Sequence, residues 1–161
     1  MNTIQRFLLP GSLMCALLLT ACNDDHKNRV PTAANANLTT MAETQINGTL
    51  MGADGDGDVI TFAAATGPAK GTVIVHADGS FVYTPNADTV GTDQFTFRTF
   101  DKKATSEVGV VTITITAIPV AFDGYSRQVF AQDSSAQPFS LNSRDVQQNV
   151  TDPAAYDDLL P

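Results

Sequence analysis

Residues 71–97, reading GTVIVHADGSFVYTPNADTVGTDQFTF, constrain the fold more than any other stretch. Thr72, Val73, Ile74 and Val75 are all β-branched, as a half-buried strand favours. Ala77, Asp78 and Gly79 supply a turn, with Gly79 free to take positive φ. Residues 80–84 run back, so the two runs form a β-hairpin. Pro85 has no N–H to give to a ladder, and with Asn86 it is expected to end the pairing. A further strand signal follows at residues 93–97, where Phe95 and Phe97 share one face.

The same pattern extends both ways along the chain. Residues 37–40 read as a weak first strand. Residues 44–50 read as a second, with Ile46 and Leu50 inward and Gly48 at a bulge. The Asp-Gly run at 54–58 reads as a turn, residues 59–62 as a third strand and residues 66–71 as a loop. The hairpin and the segment around Phe95 bring the count to six. Residues 101–106 form a polar turn, and residues 108–118 a long last strand. There Val111, Ile113 and Ile115 alternate with Thr112, Thr114 and Thr116, so one face is packed and one solvated. No helical period occurs over residues 31–118. Seven short antiparallel strands in about 90 residues is the count and size of an all-β, immunoglobulin-like sandwich. The segment Asp93-x-Phe95-x-Phe97 resembles the one that carries the tyrosine corner in such folds. Phe stands in place of the Tyr, so that corner hydrogen bond is expected to be missing.

The ends of the chain read differently. Arg6 precedes an apolar run over residues 7–19, too short for a spanning helix of about 20 apolar residues. The run closes with Leu19-Thr20-Ala21-Cys22, which resembles the lipobox of bacterial lipoproteins. The resemblance implies cleavage before Cys22, a diacylglycerol on its sulfur and an acyl chain on the new amino terminus. Residues 1–21 are then a signal peptide, and the chain is lipid-anchored in a bacterial cell envelope, at the inner or the outer membrane. The other reading is an ordinary secretory signal with a chance cysteine. If Cys15 departs with the signal, Cys22 is the one cysteine left and no intramolecular disulfide can form. Residues 22–30 are polar and mixed in charge, and are expected to be a tether of roughly 25 Å at full extension.

The formal net charge is −8, and becomes −9 once Arg6, the one charged residue before Cys22, is removed. So acidic a chain lacks the basic face that displaces counterions from nucleic acid, which disfavours a nucleic-acid partner. Attraction to anionic headgroups is disfavoured for the same reason, leaving the lipid on Cys22 as the contact with a membrane.

Five motifs fall in order: Pro31-Thr-Ala-Ala-Asn35, Ala53-Asp-Gly-Asp-Gly-Asp58, Gly67-Pro68-Ala69-x-Gly71-Thr72-Val73, Ala77-Asp-Gly-Ser-Phe81-x-Tyr83-Thr-Pro-Asn86 and Gly91-Thr-Asp93-x-Phe95-x-Phe97. Together they resemble the bacterial cadherin-like, immunoglobulin-like repeats found in tandem in large surface adhesins. The match covers residues 31–118. Pro119-Val-Ala-Phe-Asp123 echoes the first motif, but no Asp-Gly run or hairpin follows it. Residues 119–161 are therefore expected to be a tail, the opening of a degenerate or shortened second repeat. Strand signals lie at 127–131 and 139–141, and a short helix is expected over 154–160 after Asp152 and Pro153.

Chemistry concentrates in the acidic turn. Asp54, Asp56 and Asp58 place three carboxylates within five residues, and their repulsion would be relieved by a hard cation with oxygen ligands. The spacing is not that of an EF-hand, because Val59 and Ala65 stand where that loop needs Gly and Glu. The resemblance implies calcium at this turn. Asp101 is a further ligand if the strand ends meet, although Lys102 and Lys103 beside it count against a cation site. Turn geometry alone explains the same Asp and Gly residues. His26 and His76 have no second His at ligand spacing, and Ser80 lacks a GxSxG elbow. No nucleophile, base and orienting group are spaced as a set, so no catalytic activity is expected. The expected role is adhesion or protein–protein contact, with a protein or surface glycan as partner. The alternatives are a structural spacer or detached first repeat of a larger adhesin, and, with no Trp for sugar stacking, a less favoured carbohydrate-binding module.

Overall fold

The computed structural model describes residues 27–152 and 154–157. Cys22, the apolar run before it and most of the expected tether lie outside the described residues. The strands are β1 (Thr32–Ala33), β2 (Ala36–Met41), β3 (Ile46–Thr49), β4 (Gly52–Ala53), β5 (Thr61–Thr66), β6 (Gly71–Val75), β7 (Ser80–Pro85), β8 (Gly91–Phe100) and β9 (Gly109–Thr116). After them come β10 (Ile118–Ala121), the helix α1 (Phe122–Phe130) and β11 (Arg144–Gln147). Two sheets make an immunoglobulin-like sandwich, one ordered β2-β9-β8-β5 and the other β3-β7-β6. They hold the seven expected strands between them. One pairing departs from the expected antiparallel order: β2 runs parallel to β9, from Ala36 opposite Val111 to Met41 opposite Thr116. The chain enters the sandwich at the end where β9 begins, so its first long strand and its last run the same way.

Alternation explains the core. Val111, Ile113 and Ile115 of β9 and Phe95 and Phe97 of β8 are all buried, facing Phe81 and Tyr83 of β7. The Phe81 and Phe95 rings meet edge to face at 5.3 Å across the two sheets. Each such side chain contributes on the order of 1.5–3 kcal/mol by leaving water. Gly79 takes the expected positive φ, 89°, in the hairpin turn.

Several boundaries move. Gly48 is not at a bulge; it pairs in register with Phe81. Glycine is required there because a Cβ would run into the Phe81 ring. Pro85 does not end the hairpin ladder but pairs with Gly71, and the Asn86 N–H still donates to the Lys70 carbonyl at 2.8 Å. Proline is tolerated since its missing N–H is not the one this pairing uses. The third strand starts at Thr61, later than expected, and Val59 is 77 % exposed. The tether also ends sooner than residue 30, because Asn28 and Arg29 are hydrogen-bonded to the sandwich.

The tail corrects the reading most. Residues 127–131 are not a strand; most of them belong to α1. Phe122, Tyr125, Val129 and Phe130 recur at helical spacing, and Asp123 stands in the first turn, where its charge suits the helix dipole. The strand of this region is β11 rather than residues 139–141, and it pairs in parallel with β10. Asp152 does cap the last turn: its Oδ1 accepts from the Ala154 N–H at 2.9 Å. The turn is followed only to Asp157, since residues 158–161 lie outside the described residues.

Candidate functional site

The acidic turn joins β4 to β5 at the end of the sandwich where β8 finishes. Asp54 organises it. Its Oδ1 accepts from the backbone N–H of Asp56 at 2.8 Å and of Asp58 at 3.1 Å. Gly57 makes the fold-back practicable with φ 81°. Part of the acidic run is thus turn chemistry, as one of the two readings held. The second oxygen, Asp54 Oδ2, is buried with no hydrogen-bond partner.

Asp101 lies directly after β8 and is only 3 % exposed. Its Oδ1 accepts from the backbone N–H of Lys103 and of Ala104, and its Oδ2 from Asn28 Nδ2 at 2.8 Å. The Asn28 hydrogen bond, then those backbone donors, hold the Asp101 carboxyl below its usual range. Asn28 Oδ1, like Asp54 Oδ2, is buried without a partner. Asn28, Asp56, Asp58 and Lys103 line one cleft of about 310 Å³.

The chain brings its own cations to this end. Lys103 Nζ donates to Asp58 Oδ2 at 3.0 Å. That hydrogen bond, with the charges of Asp58, Asp101 and Asp56, raises the Lys103 pKa. The Arg29 N–H donates to Asp56 Oδ2 at 2.7 Å, and its Nη1 to the Gly55 carbonyl at 3.1 Å. So the structure brings Asp56, Asp58 and Asp101 around Lys103, with Asp54 beneath the turn. Among the described residues, no three His, Cys, Asp or Glu side chains converge closely enough to hold a metal ion. The carboxylate and amide oxygens here are of the type a hard cation takes, but they do not converge on one point, and Lys103 stands at the Asp58 carboxylate.

Sequence reasoning missed Asn28 and Arg29, which looked like tether. It also missed Asp93, a buried carboxylate at the start of β8. Asp93 Oδ2 accepts from the Tyr83 hydroxyl at 2.7 Å and the Lys70 N–H at 3.0 Å, and Oδ1 from the N–H groups of Ala69 and Gln94, both at 2.9 Å. Burial alone would raise the Asp93 pKa, but these donors, Tyr83 foremost, hold it below the usual carboxylate range. Burial and then the bond to Asp93 push the Tyr83 hydroxyl upward. The signal was present, because Asp93 shares the inward parity of Phe95 and Phe97. With Phe in the corner position, the hydroxyl that secures the start of β8 comes instead from Tyr83 on the facing sheet.

The fold is thus a two-sheet immunoglobulin-like sandwich that gathers aspartates at one loop end. The profile of the bacterial cadherin-like domain matches residues 28–117, more than half of the sequence, and the chain belongs to that family. No curated protein matches it. Among solved structures, an endo-fucoidan hydrolase of glycoside hydrolase family 107, MfFcnA4 H294Q, is similar at 23 % identity and TM-score 0.43, covering 55 % of this chain and 14 % of that one. Human protocadherin-24 EC1-2 is similar at 16 % identity and TM-score 0.42, covering 60 % and 54 %. The SusE-like surface polysaccharide-binding protein BT4661 of Bacteroides thetaiotaomicron is similar at 18 % identity and TM-score 0.38, covering 56 % and 15 %. The chain thus spans 14 % of the hydrolase and 15 % of the SusE-like protein.

Proposed function

We propose that the chain is a non-catalytic contact module, held at a bacterial cell envelope by lipid on Cys22, whose acidic end binds calcium and meets a protein or glycan partner. One observation carries the reading. On a bacterial cadherin-like domain, four aspartates and Asn28 gather at one end, with two buried oxygens that lack a donor. Calcium takes six to eight oxygen ligands, and Asn28, Asp54, Asp56, Asp58 and Asp101 supply that chemistry. Entry of the ion requires the exposed Lys103 side chain to leave Asp58. Bound calcium would neutralise the turn and link the Asn28 segment to β4, β5 and β8. The order of a positive flank, an apolar run and Leu19-Thr20-Ala21-Cys22 supports the anchor. Two lipid signals give stable attachment where one does not.

Two experiments test the reading separately. A chain beginning at Asn23 should unfold at a higher temperature in millimolar calcium than in chelator, by RT ln(1 + [L]/Kd), and Asp54→Asn should abolish the difference. An unchanged midpoint would remove calcium from the reading. Metabolic labelling with palmitate should mark the whole chain and not Cys22→Ala; label that persists in the variant refutes the anchor.

A further inference from the structure

Three non-glycine residues hold positive φ among the described residues: Glu43 at 60°, Asp88 at 55° and Lys102 at 76°. Such backbone is strained for a residue with a Cβ and persists where its surroundings fix it. Glu43 follows β2 and Asp88 precedes β8, on separate loops at the end of the sandwich opposite the acidic turn. Both carboxylates nonetheless reach a single hydroxyl. Ser143 Oγ lies 3.1 Å from Glu43 Oε1 and 3.2 Å from Asp88 Oδ1. Ser143 is fully buried. Beside it, Arg144 Nη2 donates to Glu43 Oε2 at 3.2 Å.

The backbone completes the contact. The Ile118 N–H donates to the Ser143 carbonyl at 2.8 Å, and from there β10 and β11 pair in parallel, from Ile118 opposite Arg144 to Ala121 opposite Gln147. One hydroxyl proton serves one carboxylate at a time. Two carboxylates around one oxygen repel, and the Arg144 guanidinium offsets that repulsion.

We propose that Glu43 and Asp88 form a binding site for a Ser-Arg strand, and that its occupant is the chain's own β11, which latches residues 118–147 onto the sandwich. The cooperative unit then extends to residue 147, beyond the span of the family profile. The latch closes the end where β2 and β9 finish and leaves the acidic end as the open one. It also gives the two left-handed loops their reason, since each is turned so as to present its carboxylate to Ser143.

Hydrogen exchange of the full chain tests this. In the wild type, the amides of β10 and β11 should be protected. Arg144→Met should speed their exchange by about tenfold or more while leaving β8 and β9 protected, as local opening does. Adding Glu43→Gln and Asp88→Asn should restore part of the protection by removing the repulsion. Rescue of that kind is not expected if Arg144 acts only through the packing of its methylenes. If Arg144→Met unfolds the whole chain, Ser143→Ala takes the same measurement. Unprotected β10 amides in the wild type, or exchange in β10 and β11 that neither variant changes, would overturn the latch.

Discussion

The two ends of β8 solve the same problem in opposite ways. Each gathers carboxylates from distant loops and neutralises them with the chain's own groups. At the finishing end, the partners are long surface cations: the side chain of Lys103 is 63 % exposed and that of Arg29 is 71 % exposed. At the starting end, most of the partners lie deeper. Asp93 is sealed under Tyr83, Ser143 is fully buried, and the Arg144 side chain is 25 % exposed. Water screens the Lys103 and Arg29 pairs strongly and reaches Asp93, Tyr83 and Ser143 far less, while the Glu43 carboxylate stays partly in solvent. The cations of the finishing end are therefore held loosely, while Asp93, Tyr83 and Ser143 are part of the fold.

Removing the sealed carboxylate should show the difference at its largest. Asp93→Ala leaves the Tyr83 hydroxyl and the N–H groups of Ala69, Lys70 and Gln94 without an acceptor. The Tyr83 hydroxyl is buried and the three N–H groups part-buried; a buried unsatisfied group costs about 1–3 kcal/mol, so urea unfolding should report a loss on the order of 3 kcal/mol. Asp101→Ala, at the other end, strands three part-buried donors and no fully buried one, and should cost less. Equal losses would mean that the two ends are not distinct.

The pH profile sharpens the same contrast. The folded-state pKa of Asp93 is depressed, so the unfolded chain binds more protons as the solution turns acidic. The stability it contributes is present above the unfolded carboxylate value of about 4 and is lost as pH falls through the folded value. Tyr83 has the opposite sign. Its folded pKa is raised, so its contribution is present below the unfolded value of about 10 and is lost at higher pH. The melting midpoint should fall at both extremes. Tyr83→Phe should shrink the alkaline limb and Asp93→Asn the acid one, with the surface groups Lys103 and Asp101 supplying the smaller remainder. An alkaline limb undiminished in Tyr83→Phe would show that other groups produce it.

How much of this the sequence disclosed follows from the range of each interaction. The core was legible because strand period alone places Phe95, Phe97, Val111, Ile113 and Ile115 on inward faces. The acidic turn was legible because Asp54, Asp56 and Asp58 are neighbours in the chain. Asn28 was not, since nothing local marks a polar residue that will meet Asp101 across 73 positions. Nothing local marks Glu43 and Asp88 either: Ser143, which both approach, lies 100 and 55 positions away. The tail helix was misread because Tyr, Phe and Val count toward a strand by residue type. Their spacing, 122, 125, 129 and 130, is helical.

The smallest effect on stability, and the most informative about the open end, is expected from Lys103. Lys103→Met removes one exposed partner from Asp58 and should leave the midpoint in chelator nearly unchanged, as loss of a surface ion pair usually does. In calcium the same variant should respond at lower concentration than the wild type, because the ion no longer displaces an ammonium group from the carboxylate it needs. The comparison is a calcium titration followed by thermal unfolding, run side by side on the two proteins. A Lys103→Met chain that melts several degrees lower in chelator would mean that the lysine is built into the fold as firmly as Arg144. A response to calcium identical to that of the wild type would mean that Lys103 does not stand in the path of the ion. With either result the asymmetry between the two ends would no longer turn on whether the cation can leave.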